Sequence, residues 1–368
     1  GHRSHPGVMM ISNAASAKEW LFGTAIPLWL DIGITADGLA VEELDFQARP
    51  RDVGYHRTMV QFRQAFCFAK AALAGGCDAS VARELFLRAS AAAKHPDGGW
   101  SHKLNGDGTL QDTTRDVCDQ AFGLLAAAWT YKASGDAGIL AAHQHALNFV
   151  DAQAGEGYAE AMPSRLPRRQ NTHMHLLESF LALYEATGDD GYRTRAEAII
   201  TLLKTKFVNP DGFLFEYFDV RLSPLSGPDN WIEPGHHFEW VWLLQEYARL
   251  SGSTISPMAD RLFAMAVRHG LDADGFAVAK ISPDGRILDG RRMLWAQLEM
   301  LKAYLVRGED ARPILANIAR FLPSSPAGIW YEKLDENGNP VRNRMPASTF
   351  YHVTGAFTEL LNSTKATA

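Results

Sequence analysis

The sequence is short of cysteine, of long apolar runs and of clustered charge. Its cysteines, Cys67, Cys77 and Cys118, are odd in number and form no CxxC pair, which argues against a disulfide framework or a zinc–cysteine site and favours a reducing, cytoplasmic setting. No apolar run reaches the ~18 residues of a membrane helix. Acidic residues exceed basic ones, 42 to 36, without a long block of either sign, so we expect no nucleic-acid or membrane partner.

Motifs of cofactor and nucleophile chemistry are absent as well. The chain has no GxGxxG or GKS/T phosphate loop, no GxSxG serine elbow, no HExxH helix and no Asp-rich calcium loop. Each of these motifs supplies a geometry that its chemistry needs. We therefore expect neither a cofactor nor a bound metal.

The first nine residues, which begin Gly-His-Arg-Ser-His-Pro-Gly-Val, contain no apolar signal-peptide core. We interpret residues 1–9 as a vector remnant. No linker rich in Pro, Gly or Ser divides the remaining chain, since residues 222–230 form a loop better placed to border a site. Residues 10–368 are predicted to form a single domain, as a monomer or a homodimer.

Apolar residues recur three or four positions apart along most of the chain, as in Leu176, Leu177, Phe180 and Leu181. This spacing is typical of amphipathic helices. It predicts twelve helices, at about 15–33, 57–75, 79–95, 114–134, 137–155, 170–187, 189–207, 234–252, 257–270, 290–307, 309–322 and 346–363.

Short turn units separate pairs of helices. Asp-Gly steps occur in Ala36-Asp-Gly, Pro96-Asp-Gly, Pro210-Asp-Gly and Ala273-Asp-Gly, and further Asp-Gly or Asn-Gly steps follow at 107–108, 284–285 and 337–338. These dipeptides supply the positive φ of tight hairpin turns. The chain therefore alternates helix pairs with small β-hairpins, which indicates a repeat architecture.

Polar residues near the start of every second helix reveal the period. Arg63, Asp119, His175, His236, Trp295 and His352 lie 56, 56, 61, 59 and 57 residues apart. Six helix pairs with polar groups at one end predict an all-α (α/α)6 barrel, with six inner helices, six outer helices and one mouth. A less regular all-α domain or an open solenoid is the alternative.

The stretch Glu233-Pro-Gly-His-His-Phe-Glu-Trp240 is the most informative. Pro234 suits the first position of a helix, so the first turn carries two histidines at the positive end of the helix dipole. His236 and Glu239 are neighbours at i, i+3, and we favour His236 over His237 as the functional residue. The alternative is a capped helix with one packed and one exposed histidine.

A second stretch, Gln170 to Glu178, also carries two histidines. At about 100° per residue, His173 and His175 point to nearly opposite sides of a helix, and they would not chelate one metal together. Asn171, His175 and Glu178 share a face, so we favour His175 over His173.

The third candidate histidine is His352, one period beyond Trp295. Three histidines facing one cavity suit proton transfer near neutral pH. Arg63 would add a fixed cation able to hold an oxyanion or a pair of hydroxyls.

At these residues the sequence resembles the N-acylglucosamine 2-epimerase superfamily, which includes mannose isomerases, sulfoquinovose-type aldose–ketose isomerases and cellobiose 2-epimerases. The resemblance spans nearly the whole chain. It rests on residues 60–63 (Val-Gln-Phe-Arg), 116–122 (Asp-Val-Cys-Asp-Gln-Ala-Phe), 171–178, 233–240, 295–299 (Trp-Ala-Gln-Leu-Glu) and 350–352 (Phe-Tyr-His).

The resemblance implies an (α/α)6 barrel and a set of roles. It implies that His236 and His352 are the acid/base pair and that His175 and Arg63 hold the substrate carbonyl and hydroxyls. The remaining candidates for substrate binding are Asn171, Glu239, Trp295, Asp119 and Glu299.

Two departures from the family pattern bear on the substrate. Cys118 stands where many members carry tyrosine, so a hydroxyl contact to the sugar is expected to be missing. Ala347 and Ser348 stand where cellobiose epimerases place a tryptophan against a second sugar ring. The end of the chain therefore resembles the mannose isomerases more closely.

We expect a cofactor-free aldose–ketose isomerase acting on a monosaccharide, D-mannose to D-fructose, through an enediol or enediolate. A 2-epimerase is the nearest alternative. A glycoside hydrolase would need two carboxylates across the cleft, with Asp119 and Glu239 as the best pair, and a non-catalytic carbohydrate-binding scaffold is the last option.

Arg165, Arg168 and Arg169 leave the charge of the sugar open. They fall within the loop 158–169, which with the loop 36–55 we expect to govern specificity. The three arginines either meet an anionic sugar or are solvated.

Overall fold

Twelve helical stretches dominate the computed structural model, which describes residue 5, residues 7–254 and residues 256–367. The first runs from Ala14–Trp20 through a π-helical turn, Leu21–Ala25, into Ile26–Ile32, and the seventh, Asp190–Leu202, continues into a similar turn, Leu203–Phe207. The others are Thr58–Leu73, Ala79–Ala93, Val117–Ser134, Ala137–Ala152, Gln170–Thr187, Pro234–Ser251, Pro257–His269, Leu294–Val306, Arg312–Ala319 and Phe350–Thr367, the last preceded by a 3₁₀ turn at Ala347–Thr349. All twelve predicted helices are present, with ends that differ by a few residues.

Six of these helices follow one another in a closed cycle. Thr58–Leu73, Val117–Ser134, Gln170–Thr187, Pro234–Ser251, Leu294–Val306 and Phe350–Thr367 each contact the next, and the last contacts the first. The other six each pack against one or two of them. We call the six helices of the cycle the inner helices. A helix that is buried on most sides needs no polar face, and residues 117–128 of the inner helix Val117–Ser134 are accordingly all buried.

Short antiparallel strands join consecutive repeats. Tyr55–Arg57 pairs with Lys103–Asn105, Arg115–Asp116 with Ala161–Met162, Arg168–Arg169 with Tyr217–Phe218, Arg292–Met293 with Lys333–Leu334, and Met345–Pro346 with Glu43–Leu44. The hairpin partners are Pro50–Arg51 to Glu43–Leu44, Leu110–Asp112 to Lys103–Asn105, Gly157–Tyr158 to Ala154–Gly155, and Ile287–Asp289 to Lys280–Ile281. The pairing of residues 345–346 with 43–44 brings the end of the chain back to its beginning.

Side-chain caps begin four of the outer helices. Asp78, Asp136, Asp189 and Ser256 each accept a hydrogen bond from a backbone N–H two residues on, which satisfies one of the unpaired donors of the first turn. The C-terminal end of the inner helix Pro234–Ser251 is closed by a glycine. Gly252 closes the Pro234–Ser251 helix in the left-handed region, at φ 74°, where a residue without a Cβ is favoured.

The beginning of the chain touches the core where it is described. Met9 N–H donates to the carbonyl of Leu322 at 2.8 Å, and Ser324 N–H donates to the carbonyl of Gly7 at 2.9 Å. Residues 1–4 and 6 of the predicted vector remnant lie outside the described residues. No helix in the described ranges is long and apolar enough to cross a membrane.

Replacing Gly252 by alanine should lower the free energy of unfolding by about 1 kcal/mol, because an L-residue is strained at this positive φ. Thermal melting of Gly252→Ala against the wild type measures the effect. Gly23→Ala is the matched control, since a Cβ at Gly23 meets no atom within 4 Å and its backbone is not at positive φ. An equal loss in both variants would contradict the assignment.

Candidate active site

A cavity of about 310 Å³ opens at the N-terminal ends of the inner helices. This volume is at the small end of ligand pockets. The cavity brings together seven of the predicted site residues and seven that were not predicted. Its lining is Arg63, Arg169, Asn171, His175, Glu216, Tyr217, Glu233, His236, Glu239, Trp295, Glu332, Ser348, Thr349 and His352.

The indole of Trp295 lies between two of the histidines. Its ring centroid is 4.8 Å from that of His236 and 5.7 Å from that of His352. Gly235 makes this packing possible, because a Cβ there would lie 2.6 Å from the Trp295 ring. The Pro-Gly start of the helix therefore sets the distance between His236 and the indole.

His236 is held by carboxylates. Its Nδ1–H donates to Glu216 Oε1 at 2.8 Å, and Glu233 Oε1 lies 3.7 Å from the same nitrogen. Burial would lower the pKa of His236, but the negative charges of Glu216 and Glu233 outweigh it and raise the pKa to about 10. His236 is therefore an imidazolium at neutral pH.

His352 has the same kind of partner and the opposite charge state. Its Nδ1–H donates to Glu299 Oε2 at 2.8 Å, and Lys302 Nζ lies 3.1 Å from Glu299 Oε1. Burial would raise the pKa of Glu299, but Lys302 and the bond from His352 lower it to about 2. Burial lowers the pKa of His352, and Glu299 offsets only part of this. His352 is therefore neutral, with Nε2 free to accept a proton.

His175 is buried and neutral as well. Burial lowers its pKa to about 4. Its Nδ1 lies 3.7 Å from Glu178 Oε1, beyond hydrogen-bond distance, and Glu178 accepts a hydrogen bond from the Tyr351 hydroxyl. His175 therefore offers the cavity a neutral imidazole next to an aromatic wall, with the Phe122 ring 4.5 Å away.

Arg63 is a cation without a carboxylate partner among the described residues. Its guanidinium carbon lies 4.3 Å from the centroid of Phe122 and 4.7 Å from that of Tyr351, and its Nη1 donates to the carbonyl of Ser348 at 3.0 Å. These rings fix the plane of the guanidinium. The remaining donors are free for oxygen atoms of a ligand.

Glu239 has two buried carboxyl oxygens with no hydrogen-bond partner in the described chain. Burial, together with the nearby charge of Glu299, raises the pKa of Glu239 well above its usual range. A protonated Glu239 donates one hydrogen bond and accepts another. A ligand hydroxyl satisfies both needs.

Two predicted residues lie outside the lining. Asp119 is hydrogen-bonded to His102 Nδ1 at 2.7 Å, and burial and Asp116 raise the pKa of Asp119 to about 7. Glu299 stands behind His352. The pair of Asp119 and Glu239 that a glycoside hydrolase would use is therefore not assembled in the cavity.

The neighbouring histidines have structural contacts. His173 accepts from Tyr158 N–H at 2.9 Å and donates to the carbonyl of Arg169, and His237 accepts from Leu214 N–H at 3.0 Å. The choices of His175 over His173 and of His236 over His237 agree with this geometry.

The three arginines of the loop 158–169 are engaged with protein groups. Arg165 pairs with Asp116, Arg168 donates to backbone carbonyls, and Arg169 Nε donates to Glu160 Oε2 at 2.9 Å. Arg165 is also exposed to solvent and Arg169 lines the cavity, so both alternatives considered for the three arginines, an anionic sugar and solvent, stay predictions.

Sequence reasoning missed Glu216, which lies in a hairpin rather than at the start of a helix. The available signal was a single acidic residue inside an aromatic run, Phe213-Leu-Phe-Glu-Tyr-Phe218. A charge in such a run is buried on folding and needs a partner. Glu233 was noticed only as part of the helix entry, and Tyr217, Glu332, Ser348 and Thr349 carried no signal of their own.

Two groups of carboxylate and imidazole atoms lie close enough to approach a metal ion. They are Glu216, Glu233 and His236, and Glu239, Glu299 and His352, with ligand atoms within 4.8 Å of one another. In each group the histidine Nδ1 is already hydrogen-bonded to a carboxylate, and Lys302 lies against the second group. We therefore assign both to hydrogen bonding.

A larger cavity, of about 520 Å³, lies toward the C-terminal ends of the inner helices. Its charged residues are largely paired with one another: Glu185 with Lys132 and Arg249, and Arg249 with Glu246. None of the three candidate histidines lines it, so we place the chemistry in the smaller cavity.

Comparisons with known proteins show which sequences this chain resembles. A family model described as N-acylglucosamine 2-epimerase (GlcNAc 2-epimerase) matches residues 40–356. The chain is 33% identical over 374 residues to a mannose-6-phosphate isomerase of Rhizobium meliloti (strain 1021), covering 94% of this chain and 96% of the relative. It is 29% identical over 361 residues to a D-mannose isomerase of Thermobifida fusca, covering 87% and 88%.

Solved structures share the fold. A D-mannose isomerase superposes with a TM-score of 0.84 at 20% identity, covering 95% of this chain and 97% of that one. A cellobiose 2-epimerase from Spirochaeta thermophila DSM 6192 also gives 0.84, at 22% identity, covering 96% and 97%. Because the family model matches most of its length, the chain belongs to the N-acylglucosamine 2-epimerase family.

Proposed function

We propose that the protein is an aldose–ketose isomerase that interconverts D-mannose and D-fructose by proton transfer between histidines. The observation that carries the proposal is the placement of His352 and His236 on either side of Trp295 in one cavity, where burial lowers the pKa of His352 and the carboxylates of Glu216 and Glu233, against the effect of burial, raise the pKa of His236. Groups whose pKa values are pushed apart in this way serve as base and acid.

In this mechanism His352 Nε2 removes the proton from C2 of the open-chain aldose, and His236 donates a proton to O1. The product of this step is an enediol. His236 then accepts the proton of O2, and His352 returns its proton to C1, which gives the ketose and restores both residues. The scheme needs no cofactor, because the two imidazoles supply both proton transfers.

Other residues of the cavity stabilise the enediol and orient the sugar. Arg63 and His175 pack against the rings of Phe122 and Tyr351, where an unpaired guanidinium would hold the developing charge on O1 and O2. Glu239 and Asn171 would bond the remaining hydroxyls. Trp295 would present its face to the sugar ring.

The architecture behind this site is inferred to be an (α/α)6 barrel that forms one catalytic domain over residues 10–368. The cyclic order of six inner helices and the pairing of residues 345–346 with 43–44 support it. So does the shared fold with the structures described above.

Names of relatives favour isomerisation over 2-epimerisation. The mannose-6-phosphate isomerase and the D-mannose isomerase described above match over 94% and 87% of the chain, whereas the cellobiose 2-epimerases of Dictyoglomus turgidum and Bacteroides fragilis match over 47% and 66%. A 2-epimerase remains the second candidate, since it would form the same enediol or enediolate and return the proton to C2 from the other face.

The substrate is inferred to be an uncharged sugar. Arg169, a cavity cation that belongs to the loop 158–169, is neutralised by Glu160, and Arg63 is assigned to the reacting end of the sugar. Four carboxyl groups line the same cavity, those of Glu216, Glu233, Glu239 and Glu332. A sugar phosphate would therefore bury its dianion without a free partner.

Incubation with D-mannose should yield D-fructose, read by NMR in D₂O. Free hexoses, N-acylhexosamines and sugar phosphates are tested in parallel. Appearance of glucose without fructose would establish epimerisation instead, and release of sugar from a nitrophenyl glycoside would establish a hydrolase.

His352→Asn should abolish exchange of the C2 proton of mannose with solvent deuterium and lower kcat by about 10²- to 10⁴-fold, because the base is lost. His95→Ala, which changes a histidine outside the cavity, is the control and should retain activity. Exchange that persists in His352→Asn would remove this residue as the base.

The kcat/KM for mannose should exceed that for mannose 6-phosphate by at least about 100-fold, since burying an unpaired anion costs several kcal/mol. Steady-state assays with both sugars decide this. A preference for the phosphate would show that a cation of the mouth, Arg169 first, is available to substrate.

A further inference from the structure

We propose that Glu216 and Gln170 are positioning residues that hold His236 in one orientation with a proton on both ring nitrogens, so that it acts as the acid. The consequence for catalysis rests on the proposed function. The contacts of Glu216 and Gln170 near His236 do not depend on that function.

The orientation of Gln170 follows from its partners. Trp240 Nε1–H donates to Gln170 Oε1 at 2.7 Å, and an indole nitrogen can only donate. The amide oxygen of Gln170 must therefore face Trp240. Its Nε2 then faces the other way, where it donates to Glu216 Oε1 at 3.0 Å.

The proton on His236 Nδ1 follows from the same contacts. Nδ1 lies 2.8 Å from Glu216 Oε1 and 3.1 Å from Gln170 Nε2. A carboxylate accepts and cannot donate, so a nitrogen this close to it carries the hydrogen. Nδ1 is thereby fixed toward Glu216, and Nε2 of the ring faces the cavity.

The backbone fixes Glu216 just as firmly. Gln170 N–H donates to the carbonyl of Glu216 at 3.2 Å, next to the ladder between Arg168–Arg169 and Tyr217–Phe218. Glu216 N–H donates to Asn230 Oδ1 at 3.3 Å, and the Asn230 amide donates to the carbonyls of Tyr217 and Leu225 at 2.9 Å. The carboxylate of Glu216 therefore lies on a hairpin of one repeat and bonds a histidine at the start of the next inner helix.

Several ionisable groups surround His236, and Glu216 is its direct partner. Glu233 lies farther away, and burial and Glu216 raise the pKa of Glu233 to about 7. The pKa of Glu239 is raised well above its usual range by burial. The ionisable groups near His236 are Glu233 and Glu239 on its own helix, Glu216 and Tyr217 of the hairpin, Arg169 of the paired strand, Lys280 beside Glu233, His175 on the preceding inner helix, Glu299 on the next, and His352 beyond Trp295.

A pH profile tests the proposal. In the wild type, kcat/KM should persist to the alkaline side, because the raised pKa of His236 keeps its second proton there. Glu216→Gln keeps the shape of the side chain and removes the charge, so burial then dominates. In this variant the alkaline limb of the kcat/KM profile should move to lower pH by roughly one to three units, and kcat at neutral pH should fall.

An NMR titration of the His236 ring without substrate provides a readout that needs no activity. It is run on wild type and on Glu216→Gln, with the resonance assigned through His236→Asn. The titration midpoint of the His236 ring should be lower in Glu216→Gln than in the wild type, as should the alkaline limb of the kcat/KM profile. Glu233→Gln is the matched control and should shift the midpoint less, because this carboxyl is farther from Nδ1.

Gln170→Met separates orientation from charge. It keeps the length of the side chain and removes both amide contacts. This variant should lower kcat severalfold with little change in KM, and Glu216→Asp should restore part of the alkaline limb lost in Glu216→Gln. Circular dichroism establishes that each variant is folded.

A His236 ring that titrates at the same pH in wild type and Glu216→Gln would overturn the proposal. If Glu216→Gln does not fold, Gln170→Met takes its place, and an unchanged kcat in the folded Gln170→Met variant would also overturn the proposal. If the midpoint shifts but no sugar is turned over by the wild type, the proposed function fails and the role of Glu216 stands.

Discussion

The pKa values of the two imidazoles His236 and His352 depend on burial and on the charges beside each ring. Glu216 bonds His236 and Glu299 bonds His352, both at 2.8 Å. Glu299 also faces the ammonium of Lys302 at 3.1 Å, whereas the other side-chain donor that Glu216 meets within the described residues is the neutral amide of Gln170. Lys302 adds to the lowering of the His352 pKa by burial, and Glu233 adds to the raising of the His236 pKa by Glu216. One hydrogen-bond geometry therefore yields an acid and a base in the same cavity.

The closed ring of helices makes this arrangement possible. Burying several charges within a few ångströms is costly unless each is paired. The N-termini of the six inner helices lie at one end and supply partners from different parts of the chain. The short strand pairs between repeats fix the position of each helix start relative to the cavity. Lys302 reaches Glu299 from one turn further along its own helix, and Glu216 reaches His236 through the hairpin that precedes it.

A repeated backbone contact explains why structural and functional polar residues stand side by side. The fourth residue of five inner helices accepts a hydrogen bond from a backbone N–H of the preceding loop. The acceptors are Gln61, Gln120, His173, His237 and Gln297, bonded to Ala40, Trp100, Tyr158, Leu214 and Ala277. Two of these positions use imidazole in place of amide, so His173 and His237 are variants of a structural contact next to the residues of the cavity.

The sequence by itself determined the twelve helices, the turn units and the convergence of Arg63, His175, His236 and His352, because helix periodicity and turn chemistry are local and the repeat length is regular. Its period placed Asp119 with these residues, although His102 holds it outside the cavity lining. Only the tertiary structure decided which carboxylates face which imidazoles. Glu216 bonds His236 from the hairpin of the preceding repeat and Glu299 bonds His352 on the next inner helix, and the pKa of a buried group depends on such neighbours.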